Sequence, residues 1–128
     1  MKKDPNKAET ASGASAHKQR RYARHALDVR MTVTVSRAAG VSHLWGRSSE
    51  LGQDGIGGTL TGELEPGEVV SMEIQLPLRA KPIKLHAIVR YRRGLHYGFE
   101  FLTINDEQRS AIRRVCQMLS ATSSSNPA

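Results

Sequence analysis

The chain has 128 residues, enough for one domain with a single core and tails. Its 19 Lys+Arg outnumber 12 Asp+Glu for a net charge of +7, which favours an anionic partner without choosing one. A hydrophobic share of 38% with only 5% aromatic predicts an aliphatic core. Cys116 is the single cysteine, so no intrachain disulfide can form and a reducing compartment is expected. No apolar run is long enough to cross a bilayer, and no apolar signal segment follows Met1-Lys2-Lys3; cytoplasm is the expected location. His17, His25, His43, His86 and His96 lie in separate segments without ligand spacing, so no metal site and no cofactor are expected.

Residues 1–16 are small, polar and charged, with no apolar period, and read as a disordered leader. A basic arm, 17–26, follows, with Lys18, Arg20, Arg21 and Arg24. Guanidinium forks of this kind grip phosphates, or the O6/N7 edge of guanine, better than lysines do. The plainer reading of such a run is a solvated tail. Val29, Met31, Val33 and Val35 then alternate with polar residues at the period of a half-buried strand. Ala39-Gly40 supplies a turn, and Ser42–Ser49 is predicted as a second strand, with Trp45 in the core or barrel wall. A turn-rich loop, Glu50 to Gly55, precedes the short strand Ile56–Leu60, and Asp54 reads as a turn residue.

Glu65-Pro66-Gly67-Glu68 is a turn by its chemistry. Val70, Met72, Ile74 and Leu76 form the next alternating strand, followed by Ile83, Leu85, Ala87, Val89 and Tyr91. Arg93-Gly94 turns the chain into Leu95, Tyr97, Phe99 and Phe101, which are expected to pack inward. Arg90, Arg92 and Arg93 read as a solvated edge able to add positive field nearby. The period then lengthens. Ile104, Gln108, Ile112, Val115 and Leu119 share a helical face over 105–119, with Asn105 and Gln108 spaced as a capping box. Residues 120–128 resemble the leader and are expected to be a disordered tail. Taken together, 17–119 is expected to be one mainly β domain: a small antiparallel six-stranded β-barrel with a C-terminal α-helix that covers one end.

This succession resembles the PilZ domain family, whose members carry an Arg-x-x-x-Arg arm before the first strand. An Asp/Asn-x-Ser-x-x-Gly loop, a late Gly-x-x-Phe-like strand and a terminal helix follow. Arg20 and Arg24 match the arm, with Arg21 between them, and Gly55 followed by Ile56 matches the end of the loop. Tyr97-Gly98-Phe99-Glu100-Phe101 matches the late strand. Glu50 stands where the family has Asp or Asn, and Gly52 where it has Ser. Glutamate keeps the carboxylate on a longer stem, whereas glycine has no hydroxyl to offer. A shifted alignment, Arg47-x-Ser49-x-x-Gly52, recovers the serine but puts an arginine in the acid's position.

The resemblance implies a cyclic di-GMP receptor rather than an enzyme, with Arg20, Arg21, Arg24, Glu50, Gly52 and Gly55 at the ligand. The arm is expected to be mobile alone and to close over the ligand against the loop, presenting a surface to a downstream protein. Two other readings stand beside it. One is a PilZ-like protein-interaction adaptor that does not bind the nucleotide. The other is a basic barrel for single-stranded nucleic acid, which needs exposed aromatics interleaved with cations.

Overall fold

The computed structural model describes residues 21–124. Seven strands and one helix follow in order: β1 (His25–Ala26), β2 (Arg30–Arg37), β3 (Gly40–Leu51), β4 (Gly55–Leu60), β5 (Val69–Ile74), β6 (Ile83–Arg93), β7 (His96–Thr103) and α1 (Asp106–Ser124). All pairings are antiparallel, in the order β1-β3-β2-β5-β6-β7-β4. A further β3–β4 pairing closes β2 to β7 into a six-stranded barrel, with β1 added at its rim. Closure leaves few edges open to stray strand pairing.

The alternation read from the sequence becomes the barrel interior. Met31, Val33 and Val35 of β2, Val70, Met72 and Ile74 of β5, and Ile83, Leu85, Ala87 and Val89 of β6 are all buried. Tyr97, Phe99 and Phe101 of β7 complete the wall. Each aliphatic side chain taken from water contributes about 1.5–3 kcal/mol before chain entropy is counted. Ile112, Val115 and Cys116 bring the buried face of α1 into the same core. The capping box forms as expected: Gln108 N–H donates to Asn105 Oδ1 at 2.8 Å, and Asn105 N–H donates to Gln108 Oε1 at 3.0 Å.

Several sequence expectations are corrected. Trp45 is not in the core: it is 59% exposed on the outer face, opposite Thr32, while its neighbour Leu44 pairs with Val33 and packs against the core. Tyr91 and Leu95 also face outward. A bulge between Val89 and Tyr91 breaks the β6 alternation, and Leu95 falls in the tight turn beside Gly94, whose φ of 64° suits glycine. The helix runs past Leu119 to Ser124, into the stretch expected to be a disordered tail. Ala121 continues a helix readily, and Thr122 Oγ1 donates to Met118 O at 3.0 Å. The rest of that tail, the 1–16 leader and the arm through Arg20 lie outside the described residues.

The barrel end away from the helix is closed by polar contacts. Tyr97 OH donates to Gly62 O and accepts from Leu64 N–H, both at 3.0 Å. Arg37 grips Glu68 with two bonds, at 2.9 Å and 2.8 Å. That grip, helped by the Glu65 backbone N–H, lowers the Glu68 carboxyl from its ordinary 4.5.

Candidate ligand-binding site

The arm meets the loop where β3 ends. His25 pairs with Leu51 and Ala26 with Glu50, so the last part of the arm becomes strand β1. The segment expected to stay loose is therefore tied down at this end, by backbone bonds that the sequence pattern did not announce. Arg24 sits one residue before β1, with its side chain 16% exposed. Its Nη1 lies 3.7 Å from Glu50 Oε2 and its Nη2 lies 3.5 Å from Asp54 Oδ1.

Glycines make this approach possible. A Cβ on Gly52 would stand 2.7 Å from Arg24 Cδ and 2.9 Å from Nε, so any larger residue there displaces the guanidinium. A Cβ on Gly55 would collide with Phe99 O and lie 3.4 Å from Arg24 Nη2. The loop is braced from below by Gly52 N–H donating to Gly55 O and Phe101 N–H donating to Asp54 O, both at 2.9 Å.

The contacts of Arg24 are long. Charge-assisted hydrogen bonds usually span 2.7–2.9 Å, and Arg47–Asp28 and Arg90–Glu100 here reach 2.6 Å. Arg24 Nε and Asp54 Oδ1 are buried and make no hydrogen bond among the described residues. Arg24 is thus desolvated beside two carboxylates but not chelated by either. A buried donor or acceptor left unmade costs about 1–3 kcal/mol.

Of the residues singled out in the sequence, Arg24, Glu50, Gly52 and Gly55 come together here. Arg21 is exposed, its guanidinium 5.7 Å from the Tyr22 ring centre, and Arg20 lies outside the described residues. Asp54, read only as a turn residue, is the member missed. An acid placed just before the loop's last glycine, facing a basic arm, was the available signal. The helix backs the site: Cys116 and Ser120 of α1 share a cleft of about 200 Å³ with Ala23, His25 and Gln53. Burial pushes the Cys116 thiol up, Asp54 adds to the shift, and Arg24 opposes it.

The PilZ domain family model matches residues 18–117. The chain belongs to the PilZ family. Among solved structures, this PilZ domain is similar to the inhibitor of motility MotI/DgrA of Bacillus subtilis, with 17% identity and a TM-score of 0.67. That match covers 81% of this chain and 52% of the other, so the chain spans about half the length of that protein. It is also similar to the PilZ domain of Escherichia coli YcgR, solved with c-di-GMP, at 19% identity and a TM-score of 0.61, covering 82% of this chain and 94% of that one. The PilZ domain of CeSA from a cellulose-synthesizing bacterium matches at 16% identity and a TM-score of 0.57, covering 79% and 98%. These likenesses establish the shared barrel. No curated protein matches the sequence.

Proposed function

We propose that this PilZ domain is a cytoplasmic, non-enzymatic receptor for cyclic di-GMP, and that its arm and loop form the binding site. The reading rests on one observation: Arg24 is held against Glu50 and Asp54 at 3.5–3.7 Å, beside buried polar atoms without hydrogen-bond partners among the described residues. A guanidinium so loosely paired is free to turn toward a stronger acceptor, and a phosphate or guanine edge is one. Glu50 and Asp54 then become available to accept from a guanine N1–H and amine. Arg20 and Arg21 supply further cations from the arm, while Gly52 and Gly55 let the ligand approach backbone. The E. coli YcgR domain, which shares the barrel, has been solved with this ligand. Engagement of the arm presses on the cleft shared with α1, which carries the signal to a downstream protein.

A second reading has its own support. Arg24 occupies the space a family serine would fill at position 52, as expected of an adaptor that keeps the fold without sensing nucleotide. Calorimetric titration of the whole chain with cyclic di-GMP decides between them. The receptor reading expects saturable binding that weakens at least tenfold in Arg20→Ala and Arg24→Ala. Absence of binding by the unaltered chain leaves the adaptor.

A further inference from the structure

The loop between β5 and β6 leaves one apolar side chain in water. Leu76 is buried before it and Ile83 after it, whereas Leu78 is 74% exposed, more than any other large apolar side chain among the described residues. Its φ of 69° is also the one positive value at a residue other than glycine there. A branched side chain is strained in that conformation, and glycine or asparagine would hold the same turn more easily. Backbone strain of this kind persists mainly where function needs the residue. The loop is held in place all the same. Gln75 Nε2 donates to Arg79 O and Gln75 N–H to Arg30 O, both at 3.0 Å, and Pro77 and Pro82 stiffen its two ends.

Cations gather at the same end of the barrel. Arg79 and Lys81 of the loop are exposed and enter no ion pair among the described residues. The loop feeds β6 beside the end of β7, where His86 pairs with Thr103 and α1 soon begins. Gln108 of α1 donates to Lys84 O, which ties the first turn of the helix to the strand leaving the loop. Further along α1, Arg109, Arg113 and Arg114 are exposed and equally unpaired, while the acids of that helix, Asp106 and Glu107, are confined to its first turn. Elsewhere the barrel neutralises its arginines: Arg37 meets Glu68, Arg47 meets Asp28 and Arg90 meets Glu100.

We propose that this end of the barrel docks on an anionic phospholipid bilayer, with Leu78 entering the interface and the cations of the loop and α1 facing the headgroups. A folded protein partner would call for a contiguous apolar patch, and this surface offers one leucine. A nucleic acid would call for aromatic platforms, and an aliphatic tip gives a base nothing to stack on. A bilayer accepts a lone apolar tip among charges, because its surface deforms around the side chain while its field attracts the cations. The attachment is peripheral and independent of the arm and loop that form the candidate nucleotide site.

The test uses the full chain, without nucleotide, and vesicles of phosphatidylcholine alone or mixed with phosphatidylglycerol. Sedimentation is expected with the mixed vesicles and not with phosphatidylcholine alone. Leu78→Asn keeps every charge and tolerates the positive φ, so it is expected to melt no lower than the unaltered chain. Its affinity for the mixed vesicles is expected to fall about tenfold, the low end of what burying one leucine contributes. The double variant Arg113→Gln, Arg114→Gln is expected to bind several-fold more weakly and with less dependence on salt. No sedimentation with the mixed vesicles overturns the proposal. Equal affinity in Leu78→Asn also overturns it, since attraction would then be charge alone.

Discussion

Gly52 is the residue on which the arm's resting position depends. Its missing side chain is the space in which Arg24 lies, 2.7 Å from where a Cβ would stand. Gly52→Ser is therefore expected to push the guanidinium off Glu50 and Asp54 while supplying a hydroxyl to the ligand. If the domain binds cyclic di-GMP, the variant should bind several-fold more tightly by calorimetry, the equivalent of about 1 kcal/mol for one added hydrogen bond. A weaker variant would mean that Arg24 acts from its resting position. Glu68 gives a residue-scale prediction that needs no ligand. Its carboxyl is lowered by the Arg37 bond first and the Glu65 backbone bond second. The contribution to stability is therefore complete above pH of about 4.5, the ordinary value, and is lost as pH falls through the lower folded value. Melting curves should fall more steeply below that pH for the natural chain than for Glu68→Gln. Both partners of the Arg37–Glu68 pair remain partly exposed to solvent, so the difference should be small.

At the scale of elements, β7 and the turn before β5 are joined by one hydroxyl. Tyr97→Phe leaves Gly62 O and Leu64 N–H without the partner they share, and is expected to cost about 1–3 kcal/mol in chemical denaturation. Asn105→Ala, which removes the capping box of α1, should cost about 1 kcal/mol in the same assay. The sequence revealed these elements well wherever alternation was uninterrupted, as in β2, β5 and the first half of β6. It misled at Tyr91 and Trp45 for different reasons. A bulge inserts one residue into a period of two, so Tyr91 changes face without any compositional mark. Trp45 stands in a strand whose inner positions are Leu44 and Gly46, a pair too uneven to reveal the phase. The two-residue β1 was illegible because so short a strand has no period at all. In the candidate site, the resemblance to the PilZ motifs singled out Arg24, Glu50, Gly52 and Gly55, which the fold brings together, but only three-dimensional proximity brought Asp54 to Arg24.

For the whole molecule, the surplus of 19 cationic over 12 acidic side chains sets a field that draws anions, and in the receptor reading the arm adds the local grip. Affinity for cyclic di-GMP should therefore decline steadily between roughly 0.1 and 1 M salt, as the screening length falls from about 10 to 3 Å. A salt-independent affinity would place the binding energy in stacking and shape instead. Among the described residues no helix is long and apolar enough to cross a membrane. The barrel itself is braced all round by paired strands, which leaves the small rim strand β1 as the place where the molecule can yield cheaply. Its two residues, His25 and Ala26, join Leu51 and Glu50 at a point already held from the other side by β4. Undoing β1 therefore opens no gap in the barrel wall. The amide protons of this short seam should exchange with deuterium far sooner than those of β5 or β6, and their slowing would report occupancy of the arm before any downstream protein is known.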